Sequence, residues 1–308
     1  MYFENIIGQD FAKKYIINSI KKDRINNAYI FEGIEGIGKT TFSYEFAKIL
    51  LEREDIKNSP DFINIYPEDK NSIKISQIRE LISDIIIKPH SNKKVYIIHN
   101  SETMTLQSQN ALLKTLEEPP SYAIIILITT NKESIIDTIK SRCDIIKFVP
   151  ISTFNIEKYL DSLGIKNSSI IANFSRGSIG KALELSSSDK FRNIREDVCN
   201  YIENILKKDL LYSMDNINSI DIYKNDIITV MDILITFFRD VMMLKQGINN
   251  IINIDKMSVI QNISKEISSN KISKIIDIIE DIKNKLNSNC SFSICMQVMF
   301  FNIYEVII

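Results

Sequence analysis

Residues 28–43 read AYIFEGIEGIGKTTFS, and the fold turns on them. Gly33, Gly38, Lys39 and Thr40 fit the spacing G-x-x-x-x-G-K-[ST] of a phosphate-binding loop. Ala28–Glu32 is a short apolar run of strand type. From Thr41 to Leu51, the residues Phe42, Phe46, Ile49 and Leu50 fall on one helical face. Strand, glycine-rich loop and helix is the order such a loop requires. Glycines, here Gly33, Gly36 and Gly38, let backbone N–H groups turn inward around an anion. The following helix adds the partial positive charge of its N-terminus, where Thr40 and Thr41 stand. Lys39 is placed to reach the β- and γ-phosphates, and Thr40 to hold Mg²⁺ through the nucleotide. The expectation is a site for ATP or ADP with Mg²⁺. Binding does not entail hydrolysis, and the rest of the chain bears on that difference.

A chain of 308 residues has room for two or three domains. With 44% apolar and 25% charged residues it reads as a globular protein, and its net charge of −1 supplies no general attraction for nucleic acid. Any such role needs a local patch or partner subunits. Cys143, Cys199, Cys290 and Cys295 are scattered without C-x-x-C spacing, so neither a disulfide framework nor a zinc site is expected, and a reducing cytoplasm fits. MYFENIIGQD does not read as a signal peptide, and no apolar run is long enough for a membrane span.

The N-terminal FENIIGQ (3–9) precedes a helical stretch, Asp10–Lys22, with Phe11, Tyr15, Ile16 and Ile20 at helical spacing. Beside a P-loop such a segment can close over an adenine, though by itself it is only a helix start. Asp61–Tyr66 reads as a strand and Ile73–Ile87 as an amphipathic helix. Lys94–Asn100 (KVYIIHN) is a short buried strand, at the place where a P-loop ATPase sets an Asp and often a Glu around the Mg²⁺ and the attacking water. His99 and Asn100 stand there instead. Hydrated Mg²⁺ prefers oxygen ligands, which a neutral imidazole does not supply. Glu102 follows two residues on, at a backbone position wrong for the role. The site therefore reads as able to hold nucleotide and poorly equipped to cleave it.

Leu106–Glu118 reads as a helix stopped by Pro119–Pro120, and Tyr122–Asn131 as a central strand buried on both faces. Thr129 and Thr130 lie at its C-terminal end, where ligands gather in open α/β sheets, so Thr130 joins the expected nucleotide contacts. A helix over Lys132–Lys140, the tripeptide Ser141-Arg142-Cys143 and a last strand, Asp144–Pro150, complete a doubly wound parallel sheet. The pattern then changes to short helices at Phe154–Leu163, Ser168–Phe174 and Ile179–Leu185, a polar linker Ser186–Lys190, and helical periodicity to the end, broken near Asn216–Ser219, Gly247–Asn253, Ser268–Asn270 and Ser288–Ser291. Ile227–Lys245 is apolar on most of its surface and reads as the core helix of the last domain. The domain reading is an α/β P-loop domain over 1–150, a small three-helix lid over 151–187 and an all-helical domain over 188–308.

Several segments together resemble one family. FENIIGQ, NAYIFEGIEGIGKTT, KVYIIHNSETM, QNALLKTLEEPP, a strand ending TTN, SRC and GSIGKAL are similar to the clamp-loader ATPases of bacterial DNA polymerase III, members of the AAA+ class. The likeness runs through most of the first 185 residues, and FFRDVMMLK in the last domain resembles the corresponding helix of the family's delta-prime type. The gamma/tau motors keep an acidic second motif, a four-cysteine zinc module after the P-loop helix and a lid arginine. Here His99 and Asn100 replace the acids, no cysteine precedes Lys94, and Gly180 stands at the lid position with Lys181 beside it. These departures point to the stationary delta-prime type, although a zinc module is common there too.

The resemblance implies a subunit of a five-membered ring, with gamma/tau and delta partners, held by the C-terminal helices and loading a sliding clamp on primer–template DNA. It implies that Arg142 acts in trans as an arginine finger for a neighbouring ATP site. On the residues alone, Arg142 reads as a surface arginine paired with an acid such as Asp144, and only the Ser-Arg-Cys context of the resemblance turns the reading to a finger. A free-standing AAA+ ATPase acting on DNA is the alternative, and it needs carboxylates at His99 and Asn100. No polymerase chemistry of the chain's own is implied.

Overall fold

The computed structural model describes residues 2–68, 72–206, 222–288 and 290–307. The break read near Asn216–Ser219 lies outside them. The chain divides into two compact units, Met1–Glu184 and Leu185–Ile308.

The first unit is built on five parallel strands, β1 (Ala28–Glu32), β2 (Phe62–Ile65), β3 (Lys94–Ile98), β4 (Ala123–Thr129) and β5 (Asp144–Lys147), in the order β2-β3-β4-β1-β5. β3 and β4 are buried at every position, as a parallel sheet covered on both faces requires. Helices α1 (Asp10–Lys21), α2 (Lys39–Leu51), α3 (Ile75–Ile85), α4 (Leu106–Glu117) and α5 (Asp137–Lys140) complete the α/β layer. The alternation of side chains along β1 sorts the core. Tyr29 and Phe31 meet Phe42 and Phe46 of α2 edge-on, with Phe148 and Phe3 closing the cluster. Ala28 and Ile30 belong to the opposite cluster, with Ile78 and Leu81 of α3 and Leu112 and Leu116 of α4.

Three segments differ from the expectation. Along α1 the inward residues are Ala12 and Ile16, while Phe11 is 66% exposed. Residues 132–140 are not one helix. A short 3₁₀ turn, Lys132–Ser134, is separated from α5 because the amide of Gln109 enters between them, donating to Ser134 O (3.0 Å) and accepting from Ile136 N (2.9 Å). The last strand stops at Lys147. Beyond it the amide of Gln9 pairs both backbone groups of Val149, at 2.9 and 3.1 Å, in place of a strand neighbour.

Three helices follow in the same unit, α6 (Thr153–Ser162), α7 (Ser168–Phe174) and α8 (Ile179–Ser187). The stretch read as a polar linker is helical. α8 reaches Ser187 and α9 (Asp189–Leu206) starts two residues later, with the Ser188 hydroxyl accepting from Phe191 N at 3.1 Å as an N-cap. The second unit is helical throughout its described residues. α10 (Ile227–Lys245) packs on α9, α11 (Met257–Glu266) and α12 (Ser269–Asn287), and α13 (Phe292–Ile307) packs on α12. α10 spans the stretch singled out as the core helix and buries Val230, Met231, Ile233, Leu234, Phe237, Phe238 and Val241. Among the described residues no helix is long and apolar enough to cross a membrane.

Candidate nucleotide site

The loop between β1 and α2 turns on Gly36 (φ +69°) and Gly38 (φ +100°), backbone that L side chains rarely adopt. It frees the N–H groups at the start of α2 for an anion. Lys39 opens the helix and is buried. Its ammonium donates to the carbonyls of Gly33 (2.5 Å) and Ile34 (2.8 Å), so it is held against the loop. Burial lowers its pKa, and the carboxylates of Glu102 and Glu35 oppose that shift.

A cavity of about 800 Å³ opens beside this loop, within the first unit. That is ample for a nucleotide, since small-molecule sites run to about 300–1,000 Å³. Gly36, Gly38, Lys39, Thr40 and Thr41 line it, with Thr130 on the β4 side and Asn5, Ile6 and Ile7 of the N-terminal segment. Gly33 is not among the lining residues. It ends β1 instead, where its N–H donates to Thr129 O (3.2 Å) and a β-carbon would meet Phe148 O at 2.8 Å. A cradle of positive-φ glycines, a buried lysine and the two threonines at a helix start fits a phosphate chain.

The start of α8 and the turn before it meet the loop through two hydrogen bonds. Gly180 N donates to Gly36 O (2.8 Å), and the Ser178 hydroxyl donates to Glu35 O (2.9 Å). A β-carbon at Gly180 would lie 2.8 Å from Gly36 Cα. The glycine at the lid position is therefore demanded by this approach, and an arginine there would have to push α8 off the loop. Gly180→Arg is expected to raise amide hydrogen exchange across the first turn of α8 by more than Ser178→Ala, which removes the two bonds of the Ser178 hydroxyl, to Glu35 O and from Lys181 N, and adds no bulk; exchange followed by mass spectrometry checks this.

The two residues at the expected acid positions line the cavity but bring no carboxylate to it. His99 is buried, its Nε2 lies 2.9 Å from Asn64 Oδ1, and its ring stacks on Tyr66 at 4.2 Å with Tyr44 edge-on. Burial pushes its pKa down to about 4, so the ring is neutral at physiological pH. The sign follows. The unfolded ring protonates near 6.5 and the folded one only near 4, so its contribution to stability is complete above pH 6.5 and is lost as pH falls toward 4. We expect native protein to lose about 3 kcal/mol more than His99→Gln across that window, measured by urea unfolding at a series of pH values.

Asn100 takes a left-handed conformation (φ 49°) and leads into a 3₁₀ turn, Ser101–Thr103. That turn carries Glu102 into the cavity despite its later place in the chain. Its Oε1 accepts from the Thr130 hydroxyl at 2.7 Å, and its Oε2 accepts from Thr130 N at 3.3 Å. Sequence reasoning passed over this carboxylate because strand periodicity ends at Ile98 and says nothing of a side chain returned by a turn.

Arg142 does not line the cavity. It follows α5, is about one-third exposed, and donates from Nη2 to Glu117 Oε1 (2.7 Å) and from Nη1 to Thr138 O (2.8 Å). The acid beside it is thus Glu117, from the LEEPP end of α4, and not Asp144. Asp144 accepts instead from the Tyr15 hydroxyl (2.6 Å) and Asn26 Nδ2 (2.5 Å).

A family model described as DNA polymerase III, delta subunit, matches residues 8–152, and one described as DNA polymerase III, delta subunit, C terminal, matches residues 189–294. The delta' subunit of DNA polymerase III from Bacillus subtilis is 28% identical over 325 aligned positions, covering 96% of this chain and 96% of that protein. The gamma/tau subunit from Mycoplasma genitalium is 34% identical over 208 positions, but these cover 59% of this chain and 34% of that protein. Among solved structures, a gamma-subunit-related protein from Thermotoga maritima aligns with TM-score 0.46 and 21% identity, covering 97% of this chain and 99% of that one; the assignment rests on the sequence matches and not on this likeness. A tau subunit from Bacillus subtilis, 27% identical over 323 positions, also covers 90% of this chain but only 57% of that protein, whereas the delta' match covers 96% of both. With both models matched in order along most of the sequence, the chain belongs to the DNA polymerase III delta-subunit family and is of its delta-prime type.

Proposed function

We propose that this chain is a non-motor subunit of the DNA polymerase III clamp loader, which completes a neighbour's ATP site and turns over no nucleotide at its own. The observation that carries the reading is the neutral, buried His99 with Asn100 after it, where an ATPase needs two carboxylates. The chain's own site holds ATP or ADP through the N–H groups around Gly36 and Gly38, the ammonium of Lys39, and Thr41, while Thr130, expected among the contacts, gives its hydroxyl and N–H to Glu102. Mg²⁺, when bound with nucleotide, would be held on the protein side by Thr40. Arg142 is the residue offered to the adjoining gamma/tau subunit. The helices of 151–187 act as a lid and those of 188–308 as the collar that joins the ring. The partners are gamma/tau and delta subunits, with the sliding clamp and primer–template DNA as the assembly's targets in the cytoplasm. The alternative of a free-standing DNA-dependent ATPase draws on Glu102, the one carboxylate the turn after β3 returns to the cavity beside Thr130.

Mixing the purified chain with gamma/tau and delta subunits of the same organism, and reading mass by size exclusion with light scattering, tests the proposal. One hetero-oligomer that contains this chain is expected. A chain that stays apart from both partners overturns the reading.

A further inference from the structure

We propose that Glu102 makes this site select a nucleoside diphosphate over the corresponding triphosphate. The inference rests on the nucleotide reading of the cavity and says which nucleotide it takes. Thr130 follows the C-terminal end of the central strand and lines the cavity with the glycine loop, where ligands gather in an open parallel sheet. A free hydroxyl there would donate to a phosphate oxygen. Here the hydroxyl and the N–H of Thr130 both donate to Glu102, so the donors are spent on the chain's own carboxylate and a negative charge lies in their place.

The charge is fixed in position. The Ser101 hydroxyl is fully buried and donates to Ile128 O at 2.9 Å, and the Thr103 hydroxyl and N–H both donate to Asn100 O at 2.8 Å. The turn that carries Glu102 is thereby tied to β4 and closed on itself. Nor does the cavity hold spare positive charge. Its charged lining side chains are Lys39, Arg176 and Lys181 against Glu35, Glu102 and Glu184, and the lid position that would carry an arginine is closed to any side chain by Gly36. A diphosphate on the loop meets Lys39 and the helix N-terminus. A third phosphoryl group adds negative charge to a lining whose cations are already matched one for one by carboxylates, with Glu102 among them.

The test is a titration of the full chain with ADP and with a non-hydrolysable ATP analogue, followed by calorimetry, in Mg²⁺ and in EDTA. Native protein is expected to bind ADP more tightly. Glu102→Gln keeps an oxygen for the Thr130 hydroxyl, removes the charge, and is expected to raise the affinity ratio of analogue to ADP by at least about tenfold in both buffers. Thr130→Val, which removes the hydroxyl and leaves the N–H donating to Glu102, is expected to leave the preference for ADP in place. An unchanged ratio in Glu102→Gln overturns the inference. So does a loss of analogue affinity confined to Mg²⁺ buffer, because Glu102 would then be serving the metal. If native protein and variants bind neither nucleotide, the nucleotide reading itself fails and the inference with it.

Discussion

Arg142→Ala is expected to lower ATP turnover at the site bordering this chain by about 10³-fold or more in a reconstituted assembly, with the assembly intact by sizing. Charge grows on the terminal phosphoryl group as the bond to its leaving oxygen breaks, and a guanidinium supplied by the adjoining subunit offsets it. On the proposed reading, Arg142 is that guanidinium, and it stands just after the short helix α5. Its Nη1 is held by Thr138 O and its Nη2 by Glu117, so the side chain is oriented before any partner arrives. The ion pair with Glu117 is half exposed and contributes little to stability, so its loss leaves the fold in place. Arg142→Lys is expected to rescue poorly, because an ammonium lacks the planar fork that grips two oxygens at once. DNA- and clamp-stimulated phosphate release from the assembly, native against Arg142→Ala, checks this. An unaltered rate would remove the trans role from Arg142.

Asp240→Ala is expected to destabilise the second unit by about 4 kcal/mol. Asp240 lies on the core helix α10 and is completely buried. It accepts from the backbone N–H of Ile252 (3.1 Å), the N–H of Asn253 (2.7 Å) and Asn253 Nδ2 (2.9 Å), so one carboxylate satisfies three donors of the segment after α10. Asn253, itself fully buried, accepts in turn from Arg195 (2.9 Å), whose guanidinium also grips Asp255 through both oxygens at 2.6 and 2.7 Å. The network ties α9, α10 and the approach to α11 together. Removing Asp240 strands the donors at its centre, whereas Asp240→Asn keeps an acceptor and is expected to cost about half as much. Urea unfolding of the full chain, followed by far-UV circular dichroism, gives both values.

The parts of this account that were legible in the sequence are those set by local physics. The strand, loop and helix around Gly33–Thr40 are declared by spacing, and α10 by a stretch apolar on most of its surface between two polar stops. The short helices α6 and α7 are marked by the turns at Gly164–Asn167 and Arg176–Ser178, where Gly164 and Gly177 take positive φ. What was hidden depends on side chains that cross long stretches of sequence. Gln109 interrupts residues 132–140 from 25 positions away, and Gln9 replaces a strand neighbour for Val149 from 140 positions away. Neither leaves a trace in periodicity. Glu102 was judged by its backbone position, and a left-handed Asn100 is what turns it back into the cavity. SSSDK reads as a linker by composition, yet Ser188 is used as a helix cap, the other common employment of a serine between apolar runs.

ATP turnover by the purified chain alone, at saturating nucleotide and with primed DNA present, tests the central claim most directly. No phosphate release above background is expected, since His99 is neutral and buried and Asn100 brings an amide where a carboxylate is needed. Steady turnover on the order of 1 s⁻¹, abolished by Lys39→Ala, would contradict it and make this chain a motor in its own right.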